Sequence, residues 1–292
     1  MKTLIIGGTG TVGTQVVKYM LQAKQPIRLL TTSVHKAARL PVYVDPYVAN
    51  LDEPETLTKA FVGIDKVFLL NPQGHTEVEQ AINAVNAAQK AGVSKIVYQS
   101  IHRVRQGAHI PHFQTKIAIE EAIMASGLNY TFVCPNNFYQ NDFWFKDAVS
   151  AYGIYPQPYG EAGLSRVDVR DIAEAAVKAL FNSEYDGLSI PLAGPEALTG
   201  EDTAAILSEE LGFKVNYGGN DLAAWAAQAK LILPAWIVDD WVQMYQFFQE
   251  KGLVATASDL QLLTHVLGRA PRSYAAFVRE YAPVFQPESV TV

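Results

Sequence analysis

The chain has 292 residues, of which 49% are hydrophobic, 18% charged and 11% aromatic. That is enough apolar material for one large α/β domain, or such a domain with a smaller second lobe, and it excludes extensive disorder. Its 23 basic and 29 acidic residues leave a net charge of −6, which gives no general attraction for nucleic acid or an anionic membrane surface. Cys134 is the single cysteine, so an intramolecular disulfide and a cysteine zinc cluster are excluded, and a reducing cytoplasm is the expected location. The N-terminus runs straight into a strand without room for a signal peptide, and no apolar run of membrane-spanning length follows, so a soluble chain is expected.

In chain order, the apolar run Thr3 to Ile6 predicts a strand and Gly7-Gly8-Thr9-Gly10-Thr11-Val12-Gly13 a tight turn. Val12, Val16, Val17, Met20 and Leu21 then fall on one face of a helix. A second strand, Ile27 to Thr31, completes a βαβ unit with a right-handed crossover. Further strands are predicted at Val42 to Val44, Lys66 to Leu70, Lys95 to Gln99 and Tyr130 to Cys134. Helices are predicted near Glu55 to Phe61, Thr76 to Ala91 and His112 to Ser126. In the Thr76 to Ala91 helix, Val78, Ala81, Ile82, Val85 and Ala88 form the apolar stripe, and Gly92 is the C-terminal cap. The alternation predicts a Rossmann-like, doubly wound parallel sheet over residues 1–150. Residues 151–292 read as a smaller α/β lobe, parts of which return to the core. It has Gly/Pro/Tyr-rich loops from Tyr152 to Gly163, a helix from Asp171 to Phe181, a strand at Leu188 to Leu192 and several C-terminal helices. Asp171 is expected to cap its helix, with Glu174 as capping-box partner. Trp225, Trp236 and Trp241 lie in this lobe and Trp144 just before it.

Gly7, Gly10 and Gly13 follow a G-x-x-G-x-x-G spacing between a strand and a helix. The chain there must turn sharply, its backbone must approach a pyrophosphate without a Cβ in the way, and the free N–H groups of the helix bind the anion. Gly7, Thr9, Gly10, Thr11, Val12 and Gly13 are therefore expected to cradle a dinucleotide. After the second strand the chain reads Thr31-Thr32-Ser33-Val34-His35-Lys36, with Arg39 beyond and no carboxylate before Asp45. The acidic residue that would hold the ribose 2′-hydroxyl of NADH is missing, so NADPH is favoured, with Thr32, Ser33 and Lys36 near its 2′-phosphate. The competing reading of Lys36 and Arg39 is a solvated helix face. Asn71-Pro72 and Pro135, Asn137 and Phe138 lie at the crevice end of the sheet, where they are expected to orient a nicotinamide. Phe138, Tyr139 and Trp144 offer an aromatic wall for a flat acceptor, with core packing as the alternative. His102, His109 and His112 fit no closed zinc spacing, and no metal is expected.

Several ordered motifs resemble the NmrA-like group of atypical short-chain dehydrogenases/reductases. They are Gly7 to Gly13, Lys95-Ile96-Val97-Tyr98-Gln99-Ser100, His112-Phe113-Gln114-Thr115-Lys116 and Ser126-Gly127-Leu128-Asn129-Tyr130-Thr131-Phe132. The series continues with Pro135-Asn136-Asn137-Phe138, Asp168-Val169-Arg170-Asp171-Ile172-Ala173 and Leu192-Ala193-Gly194-Pro195-Glu196-Ala197-Leu198-Thr199. The resemblance implies NADP(H) binding and covers reductases of quinones and other electrophiles as well as cofactor sensors without turnover. Thr32 stands where the group has an arginine, Ala49-Asn50-Leu51 where it has Gly-Asp-Leu near the adenine, and Cys134 where it has an arginine before the proline. The related dehydrogenases pair a serine with Tyr-x-x-x-Lys. Here Ser100, His112 and Lys116 occupy those positions, which makes them the expected catalytic group, with Lys116 also toward the cofactor. An ion pair from Lys116 to Glu120 is the competing reading of that lysine. The reading is an NADPH-dependent reductase of a small flat electrophile such as a quinone or enone. The alternative is an NADP(H)-binding sensor with a protein partner, and either is compatible with a homodimer.

Overall fold

A computed structural model describes residues 1–286. In chain order its elements are β1 (Thr3–Ile6), α1 (Thr11–Gln22), β2 (Ile27–Thr31), α2 (Val34–Ala37), β3 (Asp45–Val48), α3 (Pro54–Ala60), β4 (Lys66–Leu69), α4 (Glu77–Ala91) and β5 (Lys95–Gln99). There follow α5 (Pro111–Ala125), β6 (Asn129–Pro135), α6 (Lys146–Tyr152), β7 (Ile154–Tyr155), α7 (Val169–Phe181), β8 (Ser189–Leu192) and α8 (Gly200–Leu211). The chain ends in β9 (Asn216–Tyr217), α9 (Leu222–Ala229), α10 (Ala235–Lys251), α11 (Ala257–Leu267) and α12 (Tyr274–Phe285). Two compact units divide it: Met1–Pro135 with Val169–Pro191, and Asn136–Asp168 with the chain from Leu192 onward. The Val169–Pro191 segment is thus a return of the chain to the first unit.

The first unit carries a seven-stranded sheet in the order β3-β2-β1-β4-β5-β6-β8. From β3 to β6 every neighbouring pair is parallel, which is the doubly wound Rossmann-like sheet expected. Its strands are buried on both sides because helices cover both faces. Leu4, Ile6, Val67, Leu69, Ile96 and Tyr98 pack with Leu57, Ala60, Ala81, Val85, Ala88 and Ile119 of α3, α4 and α5. Helices α1 and α7 pack on each other. Strand order reverses between β1 and β4, and the loops after β1, β4 and β5 leave from the same edge.

Three local expectations are corrected. The third strand is Asp45–Val48, not Val42 to Val44. It is an edge strand whose residues alternate between half-buried and exposed and include Pro46, which the edge tolerates. On α4, Ile82 is 38% exposed and Ala84 faces the core instead. Helix α7 begins at Val169, so Asp171 lies inside its first turn, fully buried, and is not its cap. On β6, burial and the nearby Glu120 push the Cys134 thiol far above its ordinary range. Its reaction with a disulfide reagent is expected to be slow in the native protein and to rise in step with unfolding. Rapid native labelling would contradict this burial.

The second unit has a two-stranded parallel β7–β9 ribbon and a helical shell in which α8 packs on α12. Its core is organised around a buried ion pair: Arg166 and Asp142 are 0% and 1% exposed and approach to 2.7 Å. Asp142 also accepts hydrogen bonds from Tyr155 Oη (2.9 Å), Gln157 Nε2 (2.8 Å) and Tyr274 Oη (2.6 Å). Arg166 donates to the Phe138 carbonyl at 3.0 Å. The rings of Tyr139, Tyr159 and Tyr274 surround its guanidinium at 5.7, 5.1 and 5.1 Å. Burial alone would lower the Arg166 pKa, but the Asp142 charge and the tyrosines outweigh it and hold the guanidinium charged.

Candidate functional site

The β1–α1 loop is built as a backbone cradle. Gly7 has φ +81°, and a Cβ there would stand 2.2 Å from the Leu70 carbonyl oxygen. A Cβ on Gly13 would stand 2.1 Å from the Gly7 carbonyl oxygen. The Gly10 N–H closes the turn onto Gly7 O at 3.0 Å, and Thr14 N–H bonds to Gly10 O at 2.9 Å. Thr11, Val12 and Gly13 therefore present N–H groups without intrahelical acceptors at the start of α1. No acidic residue stands in that first turn and no side chain caps it. Thr9, Gly10 and Thr11 are exposed while Val12 anchors the turn in the core. A diphosphate fits this cradle in shape and sign.

At the end of β2, Thr32 and Lys36 are exposed and Ser33 half-buried. Ser33 caps the single turn of α2, its Oγ accepting from Lys36 N–H at 3.2 Å. Asn50 is engaged locally: its Nδ2 donates to Glu53 and its Oδ1 accepts from Asp52 N–H, each at 3.1 Å. Pro72 is exposed. The Pro135 carbonyl accepts from His102 N–H at 2.9 Å.

The expected catalytic residues have partners that the sequence did not disclose. Lys116 pairs with Glu77 of α4, Nζ to Oε1 2.7 Å, and not with Glu120 as the competing reading had it. Glu77 is 1% exposed. Its Oε2 accepts from Thr115 Oγ1 at 2.9 Å, and its carbonyl accepts from Asn71 Nδ2 at 2.7 Å. The Lys116 ammonium also lies 5.3 Å from the Tyr98 ring centre. Burial first, and then Glu77, Glu120 and Cys134, hold the Tyr98 hydroxyl well above its ordinary range. His112 is half-buried one turn before Lys116, its ring edge-on to Phe113 at 4.8 Å. Ser100 is 2% exposed and donates its hydroxyl to Glu120 Oε1 at 2.5 Å. Sequence reasoning missed Glu77, and it named Glu120 only as a partner for Lys116 and not for Ser100. Both look like ordinary charges on amphipathic helices, and only the fold turns them inward.

Glu120 also carries a pH signature. Burial raises its pKa above the ordinary 4.5, more than the Ser100 hydrogen bond and Arg105 lower it. A group raised on folding contributes stability below its unfolded pKa and loses it as pH rises through the folded value. Relative to wild type, Glu120→Gln, which keeps an acceptor for Ser100, is expected to gain melting temperature as pH rises from about 4.5 toward neutrality. Parallel curves for the two proteins would contradict this.

In the second unit, Asn137 Oδ1 accepts from Tyr159 Oη (3.0 Å) and Asn141 Nδ2 (3.2 Å). Phe138 is half-buried. Tyr139, expected in a substrate wall, is fully buried against Arg166, Tyr274 and Phe277, and is a core residue. Trp144 is 66% exposed and stacks on Trp241 at 5.6 Å and 18°. Among the described residues, no helix is long and apolar enough to cross a membrane, and no three His, Cys, Asp or Glu side chains gather as a metal site.

The chain is 32% identical over 284 residues to the NAD(P)H azoreductase of Xenophilus azovorans, covering 97% of this chain and 98% of that one. It is 29% identical to the (4-alkanoyl-5-oxo-2,5-dihydrofuran-3-yl)methyl phosphate reductase of Streptomyces griseus, covering 98% and 99%. Its fold matches the Escherichia coli NADPH-dependent quinone oxidoreductase complexed with NADPH, with a TM-score of 0.86 at 24% identity over 95% and 99% of the two chains. The NmrA-like family profile matches residues 1–266, and with the glycine cradle, the strand order and the azoreductase similarity this chain belongs to the NmrA-like family.

Proposed function

We propose that this chain is an NADPH-dependent reductase that passes hydride to a small, flat, conjugated electrophile such as a quinone or enone. The observation that carries the reading is the open glycine cradle on α1, together with a β2 end that bears Thr32, Ser33 and Lys36 and no carboxylate. Gly7, Gly10, Gly13 and the first N–H groups of α1 hold the pyrophosphate, and Thr32, Ser33 and Lys36 hold the 2′-phosphate. NADPH supplies the hydride when bound. Lys116, held by Glu77 at 2.7 Å, takes the nicotinamide ribose and the oxygen on which negative charge develops. His112, one turn earlier on α5, is the proton donor of this reading. Ser100 serves the same edge through its bond to Glu120. Asn71 and Pro135, after β4 and at the end of β6, orient the nicotinamide. Two near-full-length relatives are reductases by name, which supports turnover over sensing. The lone buried thiol suits a reducing cytoplasm, where this activity is assigned.

The test is NADPH oxidation by purified protein with a quinone, an enone and an azo dye, NADH being run in parallel. Turnover with NADPH preferred over NADH is expected. Tight NADPH binding with no turnover across the panel would replace the reductase by a cofactor sensor.

A further inference from the structure

We infer that Glu77 is a positioning residue that fixes Lys116 and Asn71 together at the carboxyl edge of β4 and β5, an inference that rests on the role given above to Lys116. Three contacts converge on it: Oε1 to Lys116 Nζ at 2.7 Å, Oε2 from Thr115 Oγ1 at 2.9 Å, and the carbonyl from Asn71 Nδ2 at 2.7 Å. Lys116 and Glu77 are 12% and 1% exposed, so water screens their attraction little. Glu77 is also the first residue of α4, where the helix N-terminus favours a negative charge. A cation on α5 and the end of its own helix both hold this carboxylate in place.

The consequence falls on Lys116. A lysine has a long flexible stem and a point charge at its tip, and left alone it scatters that charge over many rotamers. Here Glu77 on α4 and the Tyr98 ring on β5 bound the ammonium from two elements. Asn71 is set by the same residue. Its Nδ2 is tied to the Glu77 carbonyl, while its buried Oδ1 has no hydrogen-bond partner among the described residues. Glu77 thus fixes Lys116 through its side chain and Asn71 through its main chain.

Glu77→Gln isolates the side-chain half, since glutamine keeps the volume and an acceptor for Thr115 and leaves the main-chain carbonyl to Asn71. The experiment is a double-mutant cycle of Glu77→Gln and Lys116→Gln, read as the Kd for NADPH by fluorescence titration and as KM and kcat with menadione. Thermal melts verify that each variant is folded. Glu77→Gln is expected to weaken NADPH by about tenfold and to add nothing in the Lys116→Gln background. If Glu77→Gln does not stay folded, Glu77→Asp, with the charge kept and the reach shortened, is expected to give an intermediate Kd. Wild-type affinity in Glu77→Gln beside an impaired Lys116→Gln would overturn the role of Glu77 and leave that of Lys116 standing. Equal losses from Glu77→Gln in both backgrounds would show a purely structural carboxylate and overturn it as well. Wild-type behaviour of Lys116→Gln would remove the reading of Lys116 itself, and this inference with it.

Discussion

Replacing Arg166 by methionine is expected to cost about 3–5 kcal/mol, or roughly 10 °C in melting temperature. The guanidinium is fully buried, touches Asp142 at 2.7 Å and lies among three tyrosine rings. Methionine fills much of the volume but leaves the Asp142 carboxylate 1% exposed without its cation. The hydroxyls of Tyr155 and Tyr274 and the amide of Gln157 still donate to it, so the loss is that of the charge and not of every hydrogen bond. The same network ties the Phe138 carbonyl and Tyr274 of α12 to one centre. Damage is therefore expected to spread through the second unit. Arg279, 68% exposed and paired with Glu210, is the control. Its replacement by methionine is expected to change the melting temperature little, because exposed pairs are screened. Equal shifts for the two variants would mean that burial of the Arg166 pair does not matter.

The second large effect is expected at Gly13. Alanine would bring a Cβ to 2.1 Å from the Gly7 carbonyl oxygen and 2.7 Å from the Gly8 Cα. Backbone has no rotamer with which to step aside, so the turn itself must move. The three N–H groups at the start of α1 move with it. NADPH affinity of Gly13→Ala is expected to fall by about a hundredfold. Gly187→Ala is the comparison, since a Cβ there meets nothing within 4 Å. Its left-handed φ of +75° predicts mild strain and an unchanged Kd for NADPH. An equilibrium titration of both variants decides the matter, and normal binding by Gly13→Ala would remove the cradle from the cofactor site.

Much of the sheet was legible because parallel strands buried on both faces write themselves as apolar runs. Thr3 to Ile6, Ile27 to Thr31 and Lys95 to Gln99 form at the predicted residues. Edge strand β3 broke that signal, since one side faces solvent and Pro46 and Asp45 read as turn residues. The glycine cradle was legible because its spacing between a strand and a helix is local, and what Gly13 must avoid, the Gly7 carbonyl, lies within the same turn; the Leu70 carbonyl that Gly7 must avoid was not legible. The partners of Lys116 and Ser100 were not, because Glu77 lies 39 positions before Lys116 in sequence and Glu120 lies 20 after Ser100. Helical spacing pointed instead to Glu120 as the partner of Lys116, the neighbour one turn away. Arg166 and Asp142 escaped for the same reason, as each alone has the composition of a surface residue. Long-range pairing of charges is a property of the fold and leaves no periodicity to read.

The central claim is hydride transfer, and the most direct measurement uses NADPH deuterated at the transferable position of the nicotinamide with an enone acceptor under single-turnover conditions. Deuterium on carbon in the reduced product, with a slower oxidation of the labelled cofactor, is the predicted result. Product without deuterium, or NADPH that binds and stays intact in the presence of acceptor, would contradict it.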